Sequence, residues 1–126
     1  MSPTVLLIED NEQNRYLTTF LLERRGYRVI SAIDGPRGVE LAEKLNADLI
    51  LLDIQLPGMD GHAVARALRA KESLRNTPII AVTSYAMVGD REKTIAAGCN
   101  GYIEKPINPE TFVDEIGKFL PHWPPA

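Results

Sequence analysis

Four apolar runs of the sequence each lead into polar side chains that are capable of chemistry. The runs and the residues that follow them are 4–8 with Glu9 and Asp10, 48–52 with Asp53, 78–82 with Thr83, and 101–103 with Lys105. Apolar runs without alternation, like the first three, are typical of parallel strands that are covered on both faces. Ligand sites in such sheets lie beyond the carboxyl ends of the strands. The sequence therefore predicts that acidic, hydroxyl and cationic groups meet at one edge of a sheet.

The acidic residues predict a site for a divalent cation. Glu9, Asp10 and Asp53 lie close together if the first and third strands are neighbours, and like charges at that spacing raise the pKa of one group strongly. Mg²⁺ removes this conflict, because it prefers one or two carboxylates, a carbonyl and water, with phosphate completing the shell. The acids could instead cap the helices that follow, but Asn11 already offers a cap and Asp53 precedes a Pro-Gly turn. We favour the Mg²⁺ site.

Lys105 and Thr83 complete the set. A lysine at the end of a buried strand, followed by Pro106, presents its charge at the same edge, where a point cation suits a phosphoryl group. A salt bridge to Asp53 is the alternative, and such a pair would also serve as a resting state. The carboxylate of Asp53 can attack phosphorus and form an aspartyl phosphate. Because such transfers depend mostly on positioning and charge neutralisation, the sequence predicts a phosphoryl-transfer site.

Helical patterns separate the apolar runs. They begin at Asn11, Gly35-Pro36, Asp60, Asp90 and Asn108-Pro109, and the first and fourth end at Gly26 and Gly98. A weaker β-rich run, 27–31, follows the first helix, in which Leu17, Phe20 and Leu21 share the face that we expect to pack on the sheet. The resulting βαβαβαβαβα order predicts an α/β protein with right-handed crossovers and a doubly wound parallel sheet between helices.

Composition excludes several classes of protein. The 126 residues are 44% hydrophobic and 25% charged, with a net charge of −3, which predicts one soluble globular domain. A mildly acidic chain has no general attraction to nucleic acid or to anionic membranes, and no run approaches the ~18 apolar residues of a membrane span. Cys99 is the single cysteine, which excludes an internal disulfide and favours a cytoplasmic location.

Four segments together resemble the receiver domain of two-component response regulators. They are VLLIEDN at 5–11, DLILLDIQLPGMDG at 48–61, PIIAVTS at 78–84 and AGCNGYIEKP at 97–106. Each motif alone is modest, but all four in this order and at these spacings are highly specific, and the match covers residues 4–120. The chain looks most like stand-alone regulators of the DivK type, although receivers of hybrid histidine kinases share the same motifs.

The resemblance implies a role for each residue of the predicted site. Asp53 matches the phosphoacceptor, Glu9 and Asp10 match the acids that bind Mg²⁺ (or Mn²⁺), and the backbone carbonyl of Gln55 is a further metal ligand. The other matches are Lys105 as the lysine that pairs with phosphate, Thr83 and Tyr102 as the switch residues, and Lys105–Pro106 as a cis peptide bond. The resemblance also implies a flavodoxin-like fold with strand order 2-1-3-4-5. Ser84 and Tyr85 lie where the family varies, and we expect them to tune access of water to the phosphate.

The implied function is a phosphorylation-activated signalling switch rather than an enzyme with a separate substrate. A histidine kinase or histidine phosphotransferase would donate the phosphoryl group, and the protein would catalyse only its own phosphorylation and dephosphorylation. A downstream regulatory protein would bind the face formed by the fourth helix, the fifth strand and the fifth helix, on a monomer or weak dimer. The open alternatives are a receiver excised from a hybrid histidine kinase and a phosphate sink without output.

Other interpretations of the site residues fit less well. A flavodoxin-like cofactor binder would need a phosphate loop where Glu9 and Asp10 stand, and a haloacid-dehalogenase-type phosphatase would need an acid in place of Gln55. We expect His62 to be a surface group and Cys99 to pack beside the fifth strand. We expect one receiver domain over residues 1–126, with 121–126 as a short C-terminal tail.

Overall fold

A computed structural model describes residues 2–56, 58, 60–84 and 89–121 of the chain. The elements along the chain are β1 (Thr4–Ile8), α1 (Glu12–Arg24), β2 (Arg28–Ala32), α2 (Gly35–Leu45), β3 (Leu49–Asp53), α3 (Gly61–Arg69), a 3₁₀ turn (Glu72–Leu74), β4 (Ile79–Thr83), α4 (Asp90–Ala96), β5 (Gly101–Glu104) and α5 (Phe112–Gly117). Residues 122–126, which form most of the predicted tail, lie outside the described part of the chain. Within the described residues, no helix is long and apolar enough to cross a bilayer.

The five strands form one parallel sheet in the order β2-β1-β3-β4-β5, as the sequence analysis predicted. The central strands are longer at their carboxyl ends than the apolar runs alone suggested. Asp53 pairs with Val82, and Thr83 pairs with Glu104. The two polar residues predicted to follow β3 and β4 are therefore the last residues of these strands, where ladder hydrogen bonds fix their backbones.

Both faces of the sheet are buried, which explains the continuous apolar runs. Alternate residues of each strand point to opposite faces. Leu6, Ile50 and Ile79 join a core with α2 and α3 on one side. Leu51 and Val82 join a second core with α1 and α5 on the other side. The sheet thus holds its carboxyl edge rigidly between two packed layers.

Three of the helix starts are fixed by side-chain caps, two of which the sequence identified. Asn11 accepts a hydrogen bond from the Asn14 N–H, and Asp60 accepts one from the His62 N–H. Asp34, one residue before the predicted start at Gly35, caps α2 in the same way. Each cap satisfies a backbone N–H that has no partner within the helix.

The predicted buried face of α1 is partly wrong. Leu17 is 38% exposed and Phe20 is 47% exposed, whereas Thr18 and Leu22 are buried. Leu22 belongs to the core on the α1 side of the sheet, and Leu21 packs against its edge. The packing of Leu21 and Leu22 determines which side of α1 faces the sheet. Leu17 and Phe20, two of the three residues predicted to be buried, therefore face solvent.

The predicted start of the last helix at Asn108-Pro109 is also wrong, because α5 begins at Phe112. The Asn108 side-chain oxygen accepts a hydrogen bond from the Glu110 N–H. The backbone carbonyl oxygen of Asn108 accepts hydrogen bonds from the Thr111 and Phe112 N–H groups. Asparagine favours this kind of local turn. Residues 109–111 therefore form a turn that precedes the helix.

Arg69, the last residue of α3, connects that helix to the two segments that precede β4 and β5. Its guanidinium donates hydrogen bonds of 2.7–3.1 Å to the carbonyl oxygens of Leu74, Arg75, Thr77 and Gly98 and to Asn100 Oδ1. These acceptors lie before β4 and between α4 and β5. The contacts fix where both strands enter the sheet.

Replacing Arg69 with methionine should destabilise the protein strongly. Methionine preserves much of the side-chain packing but leaves several part-buried carbonyl groups without their donor, which costs ~2–4 kcal/mol in the free energy of unfolding. Urea denaturation measures this loss. The exposed Arg75→Met variant should change stability by less than ~0.5 kcal/mol, and equal losses in the two variants would show that the hydrogen bonds of Arg69 contribute nothing.

Candidate functional site

The carboxyl ends of four strands bring the predicted site residues to one edge of the sheet. Glu9 directly follows β1, and its N–H donates a 3.0 Å hydrogen bond to the Ala32 carbonyl oxygen of β2. Lys105 directly follows β5, and its N–H donates a 2.7 Å hydrogen bond to the Thr83 carbonyl oxygen. Asp53 and Thr83 end β3 and β4. The predicted juxtaposition of acidic, hydroxyl and cationic groups is therefore present.

Glu9, Asp10 and Asp53 form a cluster of acids. Each offers a carboxylate oxygen, and these oxygens all lie within 4.8 Å of one another. Glu9 and Asp53 are each 4% exposed, whereas Asp10 is exposed. Hard carboxylate oxygens at this spacing, with one of them open to water, are the donors that Mg²⁺ prefers. The cluster therefore fits a magnesium ion.

Lys105 places one positive charge between two of these acids. Its Nζ lies 2.8 Å from Glu9 Oε1 and 3.3 Å from Asp53 Oδ2. Burial alone lowers the pKa of Lys105, but its hydrogen bonds and charge contacts with the two acids outweigh burial and raise the pKa. Lys105 is therefore charged. It forms salt bridges with both Glu9 and Asp53, so the alternative of a salt bridge to Asp53 alone is incomplete. The Lys105–Pro106 bond is cis, as the resemblance implied.

One lysine does not neutralise the cluster. The pKa of Glu9 is raised to about 7, mainly because the carboxyl group is buried and also because Asp53 is its neighbour, although Lys105 acts in the opposite direction. In the metal-free protein, Glu9 therefore holds a proton up to neutral pH. The charge conflict with Asp53 that the sequence predicted contributes to this shift, but burial is its largest cause.

This pKa predicts how the stability of the metal-free protein depends on pH. Between the ordinary value of 4.5 and about 7, the folded state holds a proton that the unfolded state has released. The free energy of unfolding therefore falls as pH rises through this window, by about 3 kcal/mol in total. Urea denaturation between about pH 4.5 and 8, with a chelator, measures the slope.

Two comparisons test whether Glu9 causes that slope. Glu9→Gln cannot take up the proton, so its stability should be nearly flat over the window. Saturating Mg²⁺ should stabilise the wild type most at the alkaline end, because the cation replaces the proton and binds only the folded site. An unchanged slope in Glu9→Gln would assign the pH dependence to another group.

The side chain of Gln55 makes contacts that the sequence analysis did not anticipate. Its Nε2 donates a hydrogen bond to Thr83 Oγ1, and its Oε1 accepts a 2.9 Å hydrogen bond from the Ser84 N–H. The Gln55 N–H donates a 2.9 Å hydrogen bond to Asp53 Oδ1. Only the backbone carbonyl of Gln55 was assigned a role from the sequence, and that role stays a prediction. The sequence offers only a weak signal for a role of the Gln55 side chain, which is the presence of an amide two residues after Asp53.

Tyr102 connects β5 to the start of α4. Its hydroxyl donates a 2.7 Å hydrogen bond to Asp90 Oδ2, and the Arg91 guanidinium lies 6.0 Å from the ring centroid. Burial raises the pKa of Tyr102 to about 12, and the hydrogen bond to Asp90 adds to the shift. The tyrosine therefore stays neutral and acts as the donor in this contact.

The prediction that His62 is a surface group is wrong. Its side chain is 16% exposed, and Nε2 lies 3.0 Å from Oγ1 of Thr94, a fully buried residue of α4. The Thr94 hydroxyl donates to the Asp90 carbonyl oxygen at 2.8 Å. Since the Thr94 proton is used there, His62 Nε2 is the donor to Thr94. This hydrogen bond links α3 to α4 between residues that are 32 positions apart in the sequence.

The remaining sequence expectations concern Cys99, Ser84 and Tyr85. Cys99 is buried in the core, as predicted, and burial raises the pKa of its thiol to about 11, so the thiol stays protonated. Ser84 lines a cavity beside the acids. Tyr85 lies outside the described residues.

That cavity makes Asp53 reachable from outside the protein. Its volume is about 470 Å³, and Glu9, Asp53 and Lys105 lie along it. Asn14 and Thr18 of α1 line the cavity, as do Pro106, Ile107 and Phe112 of the chain between β5 and α5. A small molecule or a side chain of another protein can therefore approach the buried carboxylate.

Comparison with known proteins gives the same fold. Polar-differentiation response regulator DivK of Brucella ovis is 42% identical over 120 residues, which cover 95% of this chain and 98% of that protein. The receiver domain of sensor histidine kinase PA1611 from Pseudomonas aeruginosa, with a magnesium ion coordinated in the active site cleft, is 37% identical with a TM-score of 0.88 and covers 96% of this chain and 99% of that chain. Chemotaxis protein CheY4 of Vibrio cholerae is 28% identical with a TM-score of 0.90 and covers 94% of this chain and 99% of that chain.

The family model described as the response regulator receiver domain matches residues 5–117. This range contains the acid cluster, Thr83, Tyr102 and Lys105, together with all five strands except Thr4 at the start of β1. On this match and the 42% identity to DivK, the chain belongs to the family of response regulator receiver domains.

Proposed function

We propose that the protein is a phosphorylation-dependent switch in which Asp53 accepts a phosphoryl group from the phosphohistidine of a histidine kinase or histidine phosphotransferase. One observation carries the proposal. The buried carboxylate of Asp53 lies between two further acids and Lys105, on a cavity that opens to solvent. A nucleophile with a cation beside it and open access from one side suits phosphoryl transfer.

The transfer step follows from this arrangement. A carboxylate oxygen of Asp53 attacks phosphorus, the phosphorus–nitrogen bond of the phosphohistidine breaks, and the imidazole leaves with the bonding electrons. The Asp53 side chain is held by the Gln55 N–H on Oδ1 and by Lys105 on Oδ2. In the product, the Lys105 ammonium pairs with the phosphoryl oxygens. Attack of water on phosphorus then breaks the bond to the Asp53 oxygen, releases inorganic phosphate and restores the carboxylate. In this proposal the protein catalyses only its own phosphorylation and dephosphorylation and acts on no separate substrate.

Mg²⁺ (or Mn²⁺) would supply positive charge for the transferring group. Glu9, Asp10 and Asp53 would hold the ion, and the backbone carbonyl of Gln55 is the predicted further ligand. The chain's own contribution is to hold three acids together beside Lys105, which contacts two of them.

Exposed apolar residues on α1 support docking of a protein donor next to the cavity. Tyr16 is 73% exposed and its ring stacks on Phe20 at 6.5 Å between centroids, with the Arg24 guanidinium 5.6 Å from the Phe20 centroid. Asn14 and Thr18 of the same helix line the cavity. A protein that covers this face of α1 can therefore insert a side chain toward Asp53.

The output surface in this proposal is the face formed by α4, β5 and α5, where a downstream regulatory protein binds. A phosphoryl group on Asp53 adds charge and acceptor oxygens that draw Thr83 and Lys105 inward. These residues lie at the ends of β4 and β5. Tyr102 on β5 holds Asp90 at the first residue of α4, so a shift of β5 changes this contact.

Tyr102→Ala should uncouple phosphorylation from partner binding. The substitution removes the contact to Asp90 but touches no residue of the acid cluster, so phosphorylation of Asp53 should stay nearly normal. The preference of the partner for the phosphorylated form, about 5–150-fold for typical coupling, should fall toward one. Titration of the partner against both forms measures this ratio. Tyr102→Phe separates the hydrogen bond from the ring, and an unchanged ratio in Tyr102→Ala and in Arg91→Ala would place the output face elsewhere.

Two alternatives keep the same chemistry at Asp53. The first is a receiver excised from a hybrid kinase, which the likeness to the receiver domain of a sensor histidine kinase supports. The second is a phosphate sink, which would accept phosphoryl groups without binding a downstream partner. A partner that discriminates between the two forms supports the messenger. The proposal further takes the protein to be a cytoplasmic monomer or weak dimer, which is consistent with its one buried, unpaired cysteine.

The function is tested by transfer from phosphorylated histidine phosphotransferases and histidine kinases of the source organism. The expected result is rapid, Mg²⁺-dependent transfer from one cognate donor to the wild type and none to Asp53→Asn. Failure of every donor and of acetyl phosphate to label the wild type would overturn the proposed function.

A further inference from the structure

The carboxamide of Gln55 is fixed in one orientation by the chemistry of its neighbours. The Ser84 N–H can only donate, so the atom 2.9 Å from it must be Oε1. The other end of the amide is then Nε2, which can only donate, and it faces Thr83 Oγ1. One side chain therefore holds both the hydroxyl oxygen at the end of β4 and the backbone N–H that follows it.

Thr83 and Asp53 start from opposite faces of the sheet. Leu51 and Val82 belong to the core on the α1 and α5 side, whereas Leu52 and Ala81 belong to the core on the α2 and α3 side. Because side chains alternate along a strand, the Asp53 side chain projects from the same face of the sheet as Leu51, and the Thr83 side chain projects from the same face as Ala81. The Thr83 hydroxyl must turn around the end of the sheet to reach a phosphoryl group on Asp53.

Gln55 opposes that movement. A phosphoryl group carries three strong acceptor oxygens, and the Thr83 hydroxyl and the Ser84 N–H are donors at the end of the strand beside Asp53. Before a phosphoryl group arrives, Gln55 Oε1 already accepts from the Ser84 N–H, and Gln55 Nε2 donates to the Thr83 oxygen and so fixes the position of that hydroxyl. Ser84 also lines the cavity onto which Asp53 opens. The carboxamide and the phosphoryl group therefore compete for the same two residues.

We propose that Gln55 is a positioning residue whose carboxamide holds Thr83 and Ser84 in the unphosphorylated arrangement and thereby sets how strongly the site takes up a phosphoryl group. This inference rests on the proposed function, since it presumes that Asp53 carries the group. It concerns the side chain only. The Gln55 N–H bond to Asp53 and the carbonyl predicted to bind the metal belong to the backbone and persist in side-chain variants.

The test is the affinity of beryllofluoride, a phosphoryl mimic, in saturating Mg²⁺, measured by isothermal titration calorimetry. Gln55→Met nearly preserves the length of the side chain but makes neither hydrogen bond. Removing an interaction that exists only in the free state raises affinity, so Gln55→Met should bind beryllofluoride about 3–10-fold more tightly for one to two hydrogen bonds. The affinity of each variant for Mg²⁺ alone is measured separately, so that beryllofluoride binding is compared at equal occupancy of the metal. Gln55→Asn, whose shorter amide cannot span both partners, should shift affinity in the same direction.

A double-mutant cycle separates this role from a general structural effect. In Thr83→Ala, the Gln55→Met substitution should gain less affinity, because only the contact to Ser84 is left to release. A gain of equal size in both backgrounds, or unchanged or weaker binding by Gln55→Met and Gln55→Asn, would overturn the inference and leave the proposed function intact. A wild type that binds no beryllofluoride in saturating Mg²⁺ would overturn both.

Discussion

Asp53→Asn should reduce phosphoryl labelling from acetyl phosphate or a phosphohistidine donor to background. An amide is not a nucleophile toward phosphorus under these conditions. Glu9 is also buried, contacts Lys105 and lines the cavity, but Asp53 is the acid that matches the phosphoacceptor of the receiver family. The fold should stay intact, because asparagine has almost the same shape and its substitution relieves repulsion with Glu9. Acid-stable, base-labile incorporation of labelled phosphate measures the effect.

Asp60→Asn is the matched control for that substitution. Asp60 is an exposed acid that caps α3 through the His62 N–H, and asparagine caps a helix about as well as aspartate. This variant should keep full labelling and near-normal stability. Full labelling of Asp53→Asn at the same position would refute the assignment of the nucleophile.

Lys105→Met should have the second largest effect. The lysine is the single cation that contacts both buried acids in the described residues, at 2.8 Å from Glu9 and 3.3 Å from Asp53. Removing one partner of a buried ion pair leaves charge uncompensated, which should cost about 2–3 kcal/mol in the free energy of unfolding of the metal-free protein near pH 8. The loss should shrink at acidic pH, because a proton on Glu9 replaces the missing charge.

Urea denaturation with and without Mg²⁺ distinguishes this effect from ordinary loss of packing. Mg²⁺ should restore much of the lost stability, because it supplies positive charge to the same carboxylates. The phosphorylated form should also lose its preference for the downstream partner, since the phosphoryl group no longer has a lysine to draw inward. Lys71→Met is the control, because Lys71 pairs with Glu43 at 2.7 Å on the surface, where such pairs contribute ~0–1 kcal/mol. Equal losses for the two lysines would contradict the central role of Lys105.

The fold was predictable because its strongest signals are local. Strands buried on both faces need continuous apolar runs, and each run stops where the chain leaves the sheet. The polar residues at these stops, such as Asp53 and Thr83, were therefore predictable as neighbours at one edge. The strand order came from the family resemblance, since nothing in the pattern of runs distinguishes 2-1-3-4-5 from other parallel orders.

Errors arose where the pattern of apolar residues was taken as a pattern of burial. Leu17 and Phe20 are apolar but exposed, because apolar residues are common on protein surfaces and only the packing decides which side of a helix is covered. Asn108 followed by proline resembled a helix start, but the asparagine side chain stabilises a turn instead. In both places, a local rule competed with an interaction that the sequence pattern does not display.

The contacts of Gln55 and His62 could not be predicted from the sequence for a different reason. Gln55 meets Thr83 across 28 positions, and His62 meets Thr94 across 32 positions. Polar contacts of this kind depend on how neighbouring strands and helices are placed, and they leave no periodic trace. Their discovery required the packed structure, even though the acids beside them were evident from the sequence.

Chemical location of the phosphoryl group tests directly whether Asp53 is the phosphoacceptor. Reduction of an acyl phosphate by borohydride converts the modified aspartate to homoserine, which tryptic digestion and mass spectrometry identify by position. After incubation with acetyl phosphate and Mg²⁺, we expect homoserine at position 53 of the wild type, and none after incubation with a chelator or in Asp53→Asn. Homoserine at position 10 or at another aspartate, or 5-hydroxynorvaline at position 9, with Asp53 unmodified, would refute Asp53 as the phosphoacceptor.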